Sequence, residues 1–396
     1  MDDFDAIRLD GLDPLDTPPA AQPGPTARLL HPVVAIPVRN EAARLGRCLD
    51  ALIRQDVPAA SKPLTLVLVL NNCTDDSLAV AERFLGRRDV ELRILAVRLP
   101  EPHAHVGTAR RLAMDEAAAI LEAQGRVDGA ILTTDADTVV AADWVRRTLD
   151  AFADGADVVA GTVRSLAGEP ALPRRLRDPL AREQIYRRLL CAIGARLDPL
   201  PHDPWPCHDR ASGASLAVRA EHYRRIGGLP AVRAGEDRAL VQALTRIDAR
   251  VRHSPAVQVA TSCRLVGRAP GGLADTLARQ AAGSEAWCDP ELEPVERFVR
   301  RVTWRRRLRA WREQDGWGPV ETWAGRLGIP PLQASVIALE PHFGRMWEQI
   351  QAASAHLRHQ SIPGADLPRA IGRARRLLRR LDAARPADRP GDAPGA

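Results

Sequence analysis

The stretch GAILTTDAD, residues 129–137, decides the fold. Its first six residues read as a short strand with no polar face, of the kind covered on both sides. The strand ends in two carboxylates, Asp135 and Asp137. Residues two apart in an extended chain share a face, with Cα atoms roughly 6.5 Å apart. Both side chains then converge on one cation; the bland alternative is a solvated strand-end turn.

The same texture extends on either side. VVAIPV (33–38), LTLVLVL (64–70) and ELRILAV (91–97) are further strands. Between them, LGRCLDALIRQ and GTARRLAMDEAAAILEAQ carry helical periodicity, and Thr74 caps a helix whose first turn holds Asp75 and Asp76. Short apolar runs alternating with helical patterns predict an α/β fold, a Rossmann-like parallel sheet with helices on both faces. Ligands bind such sheets at the carboxyl ends of the strands, where the Asp pair lies.

A chain of 396 residues with 45% hydrophobic content suffices for one large domain and an appendage. The net charge of +6 would suit nucleic acid or an anionic membrane, but the basic residues are almost all arginine, Lys62 being the only lysine. That bias is compositional, and no nucleic-acid-binding signature accompanies it, so nucleic acid is not an expected partner. The six cysteines (48, 73, 191, 207, 263 and 288) form no CxxC pair, which argues against a zinc ribbon or a disulfide framework and for reduced thiols. The first thirty residues are acidic and then Pro-rich, unlike a signal peptide, and no run of eighteen apolar residues occurs. A cytoplasmic protein is expected. The expected organisation is a disordered leader over 1–30, a catalytic domain over 31–285, a basic helical appendage over 286–383 and a disordered tail over 384–396.

PVRNE, LNNCTDDS, HVGTARRLAMDEA, DAD, GASLAVRAEHYRRIGGLP and GEDRAL follow one another in that order. The series resembles glycosyltransferase family 2 over roughly residues 31–270, and the resemblance implies a GT-A fold. It further implies an enzyme that passes a sugar from a nucleoside-diphosphate donor, with inversion, to a hydroxyl acceptor. A divalent ion suits that chemistry because charge grows on the departing diphosphate, and hard oxygen ligands favour Mg²⁺ or Mn²⁺. By resemblance Asp137 is the direct metal ligand, and Asp135 binds the metal or leans toward the ribose.

Asp237 begins a helix in GEDRALVQALTRI, where the dipole keeps a carboxylate ionised, as a base must be. The resemblance makes Asp237 the base and Glu236 its support; capping alone is the rival explanation. Pro37 and Glu41 match positions lining the nucleotide base and ribose. The second strand ends in Asn71 and Asn72 where the family commonly has Asp; Asn still donates and accepts there. Arg110 and Arg111, at a helix start, suit phosphate, with one of the two facing solvent. Gly213 in SGAS allows close backbone approach, plausibly against the transferred sugar. Thr261, Ser262 and Cys263 stand where related enzymes place a third, histidine ligand; His253 is not expected to replace it. Arg264 and Arg268 follow in a Gly-rich loop that suits the diphosphate.

The Pro-rich region between the Asp pair and Asp237 is where the acceptor is expected. The terminal arginines and tryptophans predict either helices packed on the catalytic domain or peripheral contact with an anionic membrane. A silent GT-A domain serving as a scaffold and a sugar-phosphate nucleotidylyltransferase are the competing functions. The latter normally begins with a Gly-rich loop carrying Arg and Lys, which PVRNEAARLG lacks.

Overall fold

The first four apolar runs pair side by side as parallel strands: β1 (Pro32–Val38), β2 (Leu64–Asn71), β3 (Val90–Val97) and β4 (Ala130–Thr133). Every residue of β1 is buried, Val34, Ile36 and Val38 facing one core and Val33 and Ala35 the other. That two-sided burial is why these strands read as continuous apolar runs. The computed structural model describes residues 30–126, 128–166, 174–262, 288–314 and 320–384. The bulk of the expected leader, most of the tail, Arg264, Arg268, Cys263 and Trp317 lie outside the described residues.

One face of the sheet is covered by α1 (Ala42–Ile53), α2 (Ser77–Glu82) and α4 (Trp144–Ala153) through Leu45, Leu49, Val80, Trp144 and Phe152. The other is covered by α3 (Val106–Ala123), α6 (Ala220–Arg225) and α7 (Glu236–Arg246) through Ala113, Met114, Tyr223, Leu240 and Leu244. The remaining strands are β5 (Thr138–Val140), β6 (Val158–Ser165), β7 (Leu216–Arg219) and β8 (Val251–Thr261), giving the order β3-β2-β1-β4-β7-β6-β8-β5.

Three features depart from the sequence reading. The sheet is mixed, because β7 runs antiparallel to both β4 and β6. The residues just before it lie beside the carboxyl end of β4, where Thr134 donates to the Ala214 carbonyl, so it runs back along the sheet. The second departure is at DAD, which is a turn rather than extended chain: β4 stops at Thr133, and the Thr138 amide donates to the Asp135 carbonyl at 3.1 Å. Third, α2 begins at Ser77, and the Asp75 carboxylate is taken up by the Ser77 amide and hydroxyl and the Ala42 amide. Asp75 therefore ties the loop after β2 to the loop after β1.

Beyond the sheet, α5 (Arg174–Leu197), α8 (Val295–Glu313) and α12 (Leu367–Ala383) share a core built on Tyr186, Ile193, Val299, Leu367 and Ile371. A second core, with Leu308, Trp323, Leu327, Met346 and Ile350, joins α8 to α9 (Val320–Leu327), α10 (Pro331–Ala338) and α11 (Phe343–Ala353). The apolar face of α12, which an anionic membrane surface would need, is buried in the first of these cores, while Arg375, Arg376, Arg379 and Arg380 face outward. No helix among the described residues is long and apolar enough to cross a membrane.

These helices lock onto α7. The Asp248 carboxylate accepts the Phe343 and Gly344 amides at 3.0 and 2.7 Å, capping α11 from another element, and Arg246 grips Glu348 through two bonds of 2.6 and 2.7 Å.

Candidate active site

The carboxyl ends of β1, β2 and β4 open onto a cavity of about 1700 Å³. Pro37, Glu41, Asn71, Arg110, Asp135, Asp137, Gly213, Glu236 and Asp237 all line it. The loops that carry the first three are stitched together: Asn40 accepts the Thr74 amide at 2.7 Å, and Ser77 accepts the Glu41 amide at 2.8 Å. Asn71 is buried, donates to the His105 carbonyl at 3.4 Å, and its side-chain oxygen has no hydrogen-bond partner among the described residues.

Two residues expected at the nucleotide are elsewhere. Asn72 donates to the Leu99 carbonyl at 3.0 Å and accepts the Leu99 amide at 2.8 Å, so it closes a loop in the left-handed conformation (φ 52°) and does not line the cavity. Arg111 points the other way along α3, to the carbonyls of Leu229 and Gly227 and to Asp115. One helical position rotates a side chain by about 100°, which separates it from Arg110.

Arg110 also has a different place from the one its type suggests. Its side chain is 3% exposed, and each nitrogen is engaged: Nε with Glu236 at 3.1 Å, Nη1 with the Thr133 hydroxyl at 2.8 Å and the Gly213 carbonyl at 2.9 Å, Nη2 with Asp135 at 2.6 Å. Burial opposes the charge, but the Asp135 and Glu236 carboxylates outweigh it and hold the guanidinium proton more tightly than usual. Arg110 is thus a strut joining the DAD turn to the start of α7. The strut also explains Gly213: a Cβ there would lie 2.4 Å from the Arg110 guanidinium carbon.

Asp237 sits in the first turn of α7, which Gly235 enters with φ 71°. Its carboxylate accepts the Gly213 amide at 3.1 Å on one oxygen and the Arg238 amide at 2.8 Å on the other. One backbone bond per oxygen leaves lone pairs for a hydroxyl entering from the cavity. Asp137 accepts the Thr261 hydroxyl at 3.3 Å, and that hydroxyl in turn accepts Thr138's at 2.9 Å. Thr261 is therefore beside Asp137.

The cavity also gathers residues that sequence reasoning passed over. His253, set aside on sequence grounds, lines the cavity, paired through Nδ1 with Asp203 at 2.9 Å and packed edge-on against His208, ring centres 5.5 Å apart. Burial, reinforced by His253, depresses the His208 pKa to about 4. Arg187, on α5, spans Asp209 and Asp289 at 2.6 Å each, and Arg238 reaches Glu291 at 2.7 Å. His103 is outside the cavity lining, and His105 caps α3.

Residues 33–200 match the family model described as Glycosyl transferase family 2. This stretch is similar to that family. The mixed α/β sheet with its flanking helices is the GT-A architecture, and the chain carries a glycosyltransferase domain. A search of curated proteins returns no match. Among solved structures, S. aureus TarS residues 1–349 in complex with UDP-GlcNAc is 14% identical, with 89% of this chain and 92% of that one covered and a TM-score of 0.43. A mannosyltransferase, PcManGT from Pyrobaculum calidifontis in complex with GDP-Man and Mn²⁺, is 19% identical, with 89% and 82% covered and a TM-score of 0.40.

Proposed function

We propose that the chain transfers a sugar from a nucleoside-diphosphate donor to an acceptor hydroxyl by a single, inverting displacement. One observation carries the reading: Asp237, fixed on the Gly213 amide, shares one cavity with the Asp135–Asp137 turn and with Pro37, Glu41 and Asn71. The last three bind the nucleoside, Asn71 through its unpartnered oxygen. Asp237 takes the proton from the acceptor hydroxyl as its oxygen bonds to the anomeric carbon; the electron pair of the breaking C–O bond leaves with the diphosphate. Attack from the face opposite the leaving group inverts the centre. Glu236, bound to Arg110, holds the turn that presents Asp237.

Among the described residues no group of three His, Cys, Asp or Glu side chains is placed to hold a metal. Two carboxylates nonetheless suit a Mg²⁺ or Mn²⁺ ion, which keeps waters and takes its remaining ligands from substrate phosphates. Asp137 and the Asp135 oxygen not engaged by Arg110 would hold it, and it would supply charge neutralisation for the departing diphosphate.

The test uses the full chain with UDP-GlcNAc and GDP-Man, each with and without Mn²⁺, reading binding by calorimetry and nucleotide release by turnover. Asp137→Ala should abolish Mn²⁺-linked donor binding while the melting temperature holds. Asp237→Asn should lower turnover by roughly 10² to 10⁴ with donor affinity preserved. A parent that binds a donor yet never turns it over would favour a scaffold instead, and an Asp237→Asn enzyme near the parent rate would remove Asp237 from the chemistry.

A further inference from the structure

The cavity lining includes an aromatic side chain to which none of the roles above applies. Trp205 lines the cavity with 37% of its surface exposed. An exposed indole on an untethered loop would mean little, but this one is braced. Arg252, on β8, donates to the carbonyls on both sides of it, Pro204 at 2.6 Å and Pro206 at 3.1 Å, and pairs with Asp203 at 3.0 Å. The Arg196 guanidinium lies 5.9 Å from the ring centre and is itself held by Asp382 at 2.5 Å and the Ala192 carbonyl at 2.9 Å. Backbone and ring are both fixed before any ligand arrives, so little rotamer entropy is lost on binding.

We infer that Trp205 is a stacking platform for a pyranose ring and that the acceptor is a saccharide. The inference rests on the glycosyltransferase reading and deepens it. A pyranose offers a face of C–H groups, weakly positive, that fits the electron-rich face of an indole, while its rim of hydroxyls needs polar neighbours. Gln184 and Arg188, from α5, line the same cavity and can supply them. The donor's own base is not the occupant. Pro37 and Asn71 lie at the ends of β1 and β2, on one side of β4, whereas Trp205 is held over β8, three strands along on the other side. Gly213, just before β7, and the Asp237 carboxylate that accepts its amide lie between, so a sugar stacked on Trp205 approaches Asp237 from the side opposite the nucleoside.

The experiment measures binding of cellotriose, maltotriose and N-acetylchitotriose, and of decyl maltoside, to the full chain by saturation-transfer NMR and titration. Parent, Trp205→Phe and Trp205→Ala are compared, with melting temperatures recorded for each. At least one trisaccharide should bind the parent, lose about tenfold or more in affinity in Trp205→Ala, and stay within about threefold in Trp205→Phe. Failure of all three trisaccharides to bind the parent, or equal affinity for parent and Trp205→Ala, overturns the platform. So does binding of decyl maltoside through its alkyl chain alone, which would indicate a lipid acceptor. If Trp205→Ala melts early, the Phe variant carries the test, because loss of saccharide binding there would mean that packing rather than stacking was at work. Donor binding by the parent is read separately. Its absence with saccharide binding intact strikes the transferase reading, and its presence with no saccharide binding strikes only the platform.

Discussion

Replacing Arg110 with methionine tests the strut that organises the site. Methionine fills similar length and is compatible with α3, so the change removes charge and hydrogen bonds more than volume. The Glu236 side chain is 8% exposed and the Asp135 side chain 33% exposed, and both lose their cation. Leaving a buried partner uncompensated typically costs 3–5 kcal/mol, and the Thr133 hydroxyl and Gly213 carbonyl lose donors at about 1 kcal/mol each. The expected destabilisation is therefore about 5–7 kcal/mol, a large part of the 5–15 kcal/mol typical of folded domains. Arg110→Lys should fall between, because an ammonium on one stem cannot meet four acceptors spread around a planar fork. Adding Glu236→Gln to Arg110→Met removes the more deeply buried orphan charge and should recover about 1–3 kcal/mol. Urea unfolding of the four proteins at pH 7 gives the comparison. A loss below about 1 kcal/mol in Arg110→Met, or a double variant no better than the single, would refute the strut.

Two other outcomes follow from packing and titration. His208 is a base whose pKa falls to about 4 on folding from 6.5, so the unfolded state binds more protons between those values and stability drops as pH falls from 6.5 to 4, by roughly 2–4 kcal/mol. His208→Gln should flatten the stability–pH curve there, leaving the separate loss below pH 4 that follows from Asp203, whose own pKa is lowered, burial opposing and His253 outweighing it. At Gly344 an added Cβ would lie 1.8 Å from the Thr245 backbone carbonyl, so Gly344→Ala should push α11 off α7 and cost about 2–4 kcal/mol, whereas Gly325→Ala, with open space around it in α9, should be neutral or stabilising by up to about 1 kcal/mol. Thermal denaturation of the two alanine variants side by side checks both signs.

What was legible in the sequence was whatever a local period encodes. The first four strands, α3 and the start of α7 stand where hydrophobic runs and an acidic first turn place them. Direction within the sheet was not, since β7 has the same apolar texture whichever way it runs. Side-chain partners were hidden for a related reason. Arg110 and Arg111 are equivalent until a helix phase is fixed, and Arg110's partners are as far as 126 residues away. The His208–His253 contact joins a Pro-rich segment that has no period to read to a strand 45 residues further on.

Arg110 also changes which group must face the donor. Had it lined the cavity freely, a guanidinium fork could have met the diphosphate directly. Instead its charge is committed to Asp135 and Glu236 within the cavity lining. Asp137 and Asp237, both on the lining, carry negative charge toward the space where the proposed donor brings more. Arg39, Arg164 and Arg188 line the same cavity, and the DAD turn is the place where two carboxylates can share a cation with phosphate oxygens. On the proposed reading, Arg110 positions Asp237 and is not available to bind phosphate, so the diphosphate charge would be met by the other cavity arginines and by a divalent ion at the DAD turn.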